Sequence, residues 1–327
     1  MTDELRDRYD AVVVGGGAAG LNGALVLARS RRSVAVIDGG EPRNAPAAAV
    51  HSLLGHDGRS PAELLAIGRE EVRQYGGHVV AGTVTTATRE ADGFAVTVAD
   101  MRTVRARRLL IATGVLDELP AIDGLRERWG RDVVHCPYCH GWEVRDRAIG
   151  VIATGPMAMH QVMLFRQLSD DVVLFRHLAP EPGTEELEQL AALGVPVVTG
   201  RVTGLEIAAD RIIGLRLADG ELVPRDIVAT ASRPVARSGV LSALGLTPAE
   251  HPSGLGEHVA AEPTGRTAVP GVWVAGNVTD VMAQVGASAA AGAMAGAQIN
   301  ADLCAEELQA AVERARTGRL RPAGSSA

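Results

Sequence analysis

Residues 9–38 restrict the fold more than any other stretch. Tyr9-Asp10-Ala11-Val12-Val13-Val14 is a short apolar run that stops at glycine, as a buried parallel strand does. Gly15-Gly16-Gly17-Ala18-Ala19-Gly20 follows at once, then a helix-forming stretch from Leu21 to Ser30. Ser33-Val34-Ala35-Val36-Ile37-Asp38 reads as a second strand ending in an acid. The order is strand, G-x-G-x-x-G, helix, strand, acid. Gly15 permits the tight turn, Gly17 lets backbone approach a pyrophosphate, and Gly20 lets helix pack on strand. The helix N-terminus faces the phosphates and Asp38 is placed to hold a ribose hydroxyl. A lone glycine pattern is weak; in this setting it predicts a dinucleotide-binding unit.

The rest of the chain repeats the theme. Pro61 opens a helix running to about Tyr75, since proline is tolerated in the first turn. The preceding loop, Glu41 to Ser60, holds His51 and His56, which read first as surface histidines, though a loop near the cofactor could use them. His78 to Val98 alternates as strands, and Arg108 to Gly114 is a buried strand ending Ala112-Thr113-Gly114. Val115 to Pro120 reads as a linker. A second strand-turn-helix-strand unit follows: Ala148 to Ile152, the turn Ala153 to Ala158, a helix from Met159 to Ser169, and Val172 to Phe175. Its turn reads as eroded. Ala153 stands where the first glycine belongs, and Pro156 lacks an N–H for a phosphate. No acid closes the following strand, which runs into Arg176-His177. This counts against tight NAD(P)H binding; Arg176 and His177 are the one feature that could still attract a 2′-phosphate. Residues 232–270 read as irregular. Gly271 to Asp280 is a buried strand entering a glycine turn, followed by a small-residue helix from Gly286 to about Leu303. The tail from Arg314 is polar and is expected to be disordered at its end.

Composition removes several function classes. At 327 residues the chain holds two domains of ordinary size. Lysine is absent, so neither a P-loop lysine nor a Schiff-base lysine is available. A net charge of −7 argues against a nucleic-acid surface. No apolar run reaches membrane-spanning length, and the polar start MTDELRDRYD is unlike a signal peptide. The expected location is cytoplasmic.

Two of the three cysteines lie in His135-Cys136-Pro137-Tyr138-Cys139-His140-Gly141-Trp142-Glu143. C-x-x-C spacing suits a small disulfide loop with one acidic thiol. In a reducing cytosol such a pair is catalytic rather than structural. A zinc site would need two further ligands, which His135 and His140 could in principle supply. The third cysteine, Cys304, stands alone.

Taken in order, Gly15-x-Gly17-x-x-Gly20, Asp38, Ala112-Thr113-Gly114, Cys136-x-x-Cys139, the second turn and Gly271-Val272-Trp273-Val274-Ala275-Gly276-Asn277-Val278 resemble the low-molecular-weight thioredoxin reductases, from about residue 8 to 310. The resemblance implies an α/β fold of two Rossmann-like, three-layer ββα/α nucleotide-binding domains, the second inserted into the first. Residues 1–117 and 242–327 would form the FAD-binding domain. Residues 118–241 would form an NAD(P)H-like domain carrying the cysteine pair. It implies FAD held by Gly15, Gly17, Gly20, Asp38, Thr113 and the Gly276-Asn277 turn, flanked by Ala18, Ala19, Gly39, Gly114, Gln284 and Val285. It also implies a homodimer, with Cys139 nearer the flavin and Cys136 meeting the substrate sulfur.

Three departures redirect that expectation. His140 stands where the reductases usually carry an acid, Asn277 replaces the usual acid of the glycine turn, and the second turn is eroded. With Cys-Pro-Tyr-Cys-His-Gly-Trp-Glu they make the chain similar to the flavin dithiol oxidases that close disulfides in natural products of the gliotoxin and holomycin type. The implied partners are a small-molecule dithiol and dioxygen. A histidine beside the second cysteine has the pKa to take a thiol proton near neutral pH. His140 is the first candidate and His135 the second; Glu143 reads as a structural anchor. The rival expectations are an NAD(P)H-dependent disulfide reductase and a flavin redox sensor.

Overall fold

The computed structural model describes residues 3–155, 157–237 and 239–319. Pro156, singled out above, and the end of the tail from residue 320 lie outside them. The chain divides into two compact units: residues 1–42, 65–115 and 236–327, and residues 43–64 with 116–235.

The first unit is built on a seven-stranded sheet. Its strands run in the order His78–Ala81, Val34–Asp38, Arg8–Val14, Thr103–Ile111, Gly93–Val98 and Val84–Glu90, with Val272–Val274 also paired to Thr103–Ile111. The four strands next to one another around Arg8–Val14 are parallel, and Val272–Val274 joins them in parallel through Val272↔Leu109 to Val274↔Ile111. Alternation along Arg8–Val14 serves two cores, because successive strand residues point to opposite faces. Ala11 and Val13 pack with Leu21, Ala24 and Leu27 of the helix Ala18–Arg29 and with Ala295, Ile299 and Leu303 of the final helix. Val12 and Val14 pack with Phe94, Val96, Val240 and Leu241 on the other side. A parallel sheet covered on both faces explains why these strands read as continuous apolar runs.

The second unit has three layers. A parallel sheet runs Val197–Val198, Val172–Phe175, Ile149–Ile152, Ile227–Thr230, Val133–Val134. Ile149, Val151, Val172 and Leu174 pack beneath Val162 and Phe165 of the helix Ala158–Arg166. Ile152, Val173 and Phe175 pack against Val202, Ile212 and Leu215 of an antiparallel sheet, Val202–Ala208, Arg211–Leu217 and Leu222–Val223.

Several segments differ from the sequence expectation. Val115–Glu118 is a strand, not a linker; it pairs with Arg233–Ala236 more than a hundred residues on. The stretch 232–270 holds that strand, a short helix Gly239–Ala243 and two short paired strands, Ala249–Glu250 and Glu257–His258. The final helix runs Val285–Arg319, well past Leu303 and through the start of the tail. Arg107 and Arg108 hold this extension by pairing with Glu306, and Arg32 and Arg107 by pairing with Glu307. Among the described residues no helix is long and apolar enough to cross a membrane.

Candidate functional site

In the first unit the glycine turn connects Arg8–Val14 to the helix Ala18–Arg29. Gly15 has φ +106°, and a Cβ there would run into the Ala112 carbonyl. A Cβ on Gly20 would overlap the Gly15 carbonyl oxygen, so turn and helix meet backbone to backbone. Gly17 is the opposite case. It caps the helix in extended backbone with no side-chain cap, and nothing lies within 4 Å of where its Cβ would be. The first helical N–H groups, from Ala18 to Gly20, have no side-chain cap and no carbonyl partner inside the helix, the arrangement that receives a phosphate. Thr113, beside Gly114, has a buried hydroxyl with no hydrogen-bond partner among the described residues. An orphaned donor at the end of a strand beside an uncapped helix N-terminus fits a bound dinucleotide.

Asp38 is more heavily engaged than a ribose-binding acid needs to be. Its Oδ1 accepts the N–H groups of Gly16 at 3.2 Å and Gly40 at 3.1 Å, and its Oδ2 pairs with Arg69 at 2.9 Å. Oδ1 is filled by its two donors, and one lone pair on Oδ2 remains for a hydroxyl. Arg69 carries no motif signal and sits on the helix Pro61–Gln74 that the proline announced. Gly39 is exposed between Asp38 and Gly40. The Gly276–Val278 turn abuts the helix start: a Cβ on Gly276 would lie 2.9 Å from Ala19 Cβ. The Asn277 amide donates to the carbonyls of Asp280 at 3.0 Å and Ala283 at 2.9 Å, closing the loop that leads to Gln284 and Val285. A carboxylate at this position could make neither bond.

In the second unit Val133–Val134 delivers His135 and Cys136. Cys136 caps a one-turn helix, Pro137–His140, with proline at its first position, where a missing N–H costs nothing. The N–H groups of Cys139 and His140 both return to the Cys136 carbonyl at 3.1 Å. Gly141 closes the turn; a side chain there would strike the Pro137 carbonyl and Leu168. Cys136 and Cys139 are joined as a disulfide with Cα atoms 5.2 Å apart, and both are half-buried. Among the described residues no group of three His, Cys, Asp or Glu side chains is placed to hold a metal.

The two flanking histidines have different surroundings. His135 stacks on Trp129, ring centroids 5.3 Å apart, and its carbonyl accepts Gln161 Nε2 at 2.9 Å. Burial, and then the Arg43 cation, push its pKa down to about 4, against the pull of Asp117. His140 keeps both ring nitrogens shielded from solvent with no hydrogen-bond partner among the described residues. Burial lowers its pKa, Glu143 works to raise it, and His51 works to lower it. Both rings are therefore neutral near pH 7, the form that accepts a proton.

Residues 43–64 bring further groups into this unit. Arg43 clamps Asp117 through Nε at 2.9 Å and Nη2 at 2.7 Å, and Ser232 donates to the same carboxylate at 2.6 Å. His51 lies 3.4 Å from Asp57 through Nδ1 and 3.4 Å from Glu143 through Nε2. Leu54 is fully exposed, and Tyr138 and Trp142 are exposed by more than half. Sequence reasoning left His51 on the surface, because its partner Glu143 is ninety-two positions away and no spacing rule joins them.

The second turn offers less. Ala153 is buried, and the Thr154 hydroxyl bonds the Ala231 carbonyl at 3.3 Å. Arg176 pairs with Glu181 at 3.2 Å. His177 is buried and accepts the Val202 N–H at 3.1 Å, with its pKa lowered by burial and by Arg201. Both residues suggested for a 2′-phosphate are occupied within the unit, and His177 is enclosed rather than presented.

Comparison with known proteins sets these features in a family. The model of the pyridine nucleotide-disulphide oxidoreductases matches residues 9–296. Thioredoxin reductase tcpT of Claviceps purpurea is 33% identical, over 82% of this chain and 86% of its own. Thioredoxin reductase sirT of Leptosphaeria maculans is 29% identical, over 85% and 89%. Among solved structures, that of HlmI superposes with a TM-score of 0.89 at 43% identity, covering 97% of this chain and 99% of its own. A putative thioredoxin reductase TrxB from Bacillus anthracis gives 0.85 at 28%, over 91% and 99%. Family membership implies a bound flavin, and the glycine turn, Thr113 and Asp38 are the residues suited to hold it. The chain belongs to the pyridine nucleotide-disulphide oxidoreductases and is a thioredoxin reductase-like oxidoreductase.

Proposed function

We propose that this enzyme is an FAD-dependent dithiol oxidase that closes an intramolecular disulfide in a small natural-product dithiol, with dioxygen as the final acceptor and hydrogen peroxide as its product. The observation that carries the reading is the Cys136–Cys139 disulfide beside a shielded, partnerless His140 held neutral by burial. A reductase working on a disulfide needs a proton donor at this position, whereas an oxidase working on thiols needs an acceptor. The engaged Arg176 and enclosed His177 support the same direction, as does the similarity of Cys136 to Glu143 to the dithiol oxidases.

His140 takes the proton of one substrate thiol, because only the thiolate is nucleophilic. The thiolate attacks Cys136 Sγ, forming a mixed disulfide and leaving Cys139 as the thiolate. The second substrate thiol gives its proton to the Cys139 thiolate and attacks the substrate sulfur of the mixed disulfide, breaking its bond to Cys136 Sγ and releasing Cys136 as the thiolate. The substrate leaves as a cyclic disulfide, and two electrons stay on Cys136 and Cys139. FAD at the first-unit turn would supply the relay for those two electrons from the enzyme dithiol to dioxygen. The Cys136–Cys139 bond is thereby restored for the next cycle. Gly15, Gly17, Gly20 and Thr113 would bind its phosphates, Asp38 its ribose, with Ala18, Ala19, Gly39, Gly114, Gly276, Asn277, Gln284 and Val285 around them. The working form is proposed to be a homodimer.

The relatives' name favours a second reading, an NAD(P)H-dependent disulfide reductase. Substitution separates the two. Cys136→Ser should abolish peroxide formation from a model dithiol, and His140→Asn should lower it roughly 100- to 10,000-fold. Unchanged dithiol oxidation in Cys136→Ser would end the oxidase mechanism.

A further inference from the structure

We propose that Gln161 is a positioning residue for Cys136: its side-chain amide holds the His135–Cys136 peptide in the orientation that keeps the Cys136 sulfur set against Cys139, and so favours the closed disulfide. The inference rests on Cys136 and Cys139 as the exchanging pair, as the proposed function does, and holds whichever way the electrons run.

The need for such a hold follows from the course of the chain. The ladder of Val133–Val134 with Ile227–Thr230 ends at the pair Val134↔Ala229. The one-turn helix Pro137–His140 begins only after Cys136. The His135 carbonyl therefore lies past the last rung of the sheet and ahead of the first turn of the helix. Gln161 reaches it from the helix Ala158–Arg166, with Nε2 donating at 2.9 Å. A carbonyl only accepts, so the contact fixes which end of the amide points at it. Gln161 is 6% exposed, and Val162 and Phe165 on the same helix are fully buried in the core of this unit. The donor thus stands on an element anchored by its packing.

The hold on Cys136 has two sides. Its own carbonyl accepts the N–H groups of Cys139 and His140, each at 3.1 Å. Upstream, the His135 ring stacks on Trp129. Downstream, the flank of the same helix receives the turn: a Cβ on Gly141 would strike Leu168, and the Asp146 N–H donates to the Leu168 carbonyl at 3.0 Å. With the peptides on both sides of Cys136 held, its sulfur moves chiefly by side-chain rotation. Closing the disulfide then orders little more of the chain, and the effective concentration of one thiol at the other stays high. Without the Gln161 bond the preceding peptide turns more freely in the dithiol form, and closure costs more. No motif marks Gln161, because its partner is a backbone atom twenty-six positions earlier.

The test is the anaerobic equilibrium of the flavin-loaded enzyme with dithiothreitol, read by thiol labelling and intact mass; Cys304, a free thiol, adds one constant label. Dithiothreitol gives up two electrons and two protons: its own S–S bond forms as the Cys136–Cys139 bond breaks to two thiols. Gln161→Met keeps the length of the side chain and removes the donor. It should lower the equilibrium constant for the disulfide roughly three- to tenfold, the worth of one hydrogen bond, which raises the reduction potential by about 15–30 mV. Leu190→Ala, on the helix Thr184–Ala192 in the same core, should lower the urea midpoint and leave the potential where it is. An unchanged potential in Gln161→Met, or an equal rise in Leu190→Ala, overturns the proposal. Gln161→Glu, which sets an acceptor against the carbonyl, replaces Gln161→Met should that variant fail to fold, with the same expected sign and the same overturning results. Full oxidation of dithiothreitol under air by Cys136→Ser would instead end the reading of Cys136 as the exchanging sulfur, while the equilibrium shift, read without turnover, still judges Gln161.

Discussion

Asn277 shows how one atom changes what a turn can do. Its amide donates to two carbonyls, Asp280 and Ala283, and so closes the loop between the Gly276 turn and the final helix. An aspartate in its place would set a carboxylate against two carbonyl oxygens. Asn277→Asp should cost about 1–3 kcal/mol and loosen flavin retention, read as a lower flavin-to-protein absorbance ratio and a lower Tm. An unchanged ratio and Tm would mean that the clamp is dispensable. His135 makes a prediction about pH. Its folded pKa of about 4 lies below the ordinary value of 6.5. The folded state therefore binds the proton less readily than the unfolded chain. The stability this contributes is whole above about pH 6.5 and is lost as pH falls towards about 4, by up to about 3 kcal/mol. Urea unfolding from about pH 7.5 down to about pH 5, which covers the upper part of that window, should show a flatter decline in His135→Phe than in the parent. Equal declines would place the pH sensitivity elsewhere.

The helices Ala18–Arg29 and Val285–Arg319 cross at glycines. A Cβ on Gly292 would overlap the Ala19 carbonyl oxygen, and one on Gly296 would press on Gly23. Gly292→Ala should therefore destabilise the first unit by roughly 1–3 kcal/mol through overpacking, measured by the urea midpoint. A stabilised or unchanged variant would contradict so close a crossing. A close approach by this Gly- and Ala-rich helix was legible in the sequence, though to a sheet or a cofactor rather than to the helix Ala18–Arg29 that it meets. So was the Gly15–Gly20 turn, where phosphate chemistry demands particular backbone. The length of the final helix was not legible. Beyond Leu303 it has no apolar stripe, and its anchors Arg32, Arg107 and Arg108 lie some 200 or more positions earlier. Val115–Glu118 was missed as a strand for the same reason: four residues carry too little periodicity, and the partner strand is remote. The Cys136–Cys139 disulfide was legible locally, in the C-x-x-C spacing. The His51–Glu143 contact arises only when residues 43–64 pack into that unit.

At the scale of the whole molecule the two units divide the labour. One holds a turn fitted to a dinucleotide, with open space at Gly17 and an orphaned hydroxyl at Thr113. The other holds the disulfide and its histidines, while its own nucleotide turn has Ala153 buried, Arg176 paired and His177 enclosed. Under the proposed function the thiol pair, not a reduced nicotinamide, is the entry point for electrons. The direct measurement is anaerobic stopped-flow on the flavin-loaded enzyme, following flavin absorbance after mixing with dithiothreitol or with NADPH. The account predicts rapid bleaching by the dithiol, its loss in Cys136→Ser, and no bleaching by NADPH on the same timescale. Rapid bleaching by NADPH, with none by the dithiol, would contradict it.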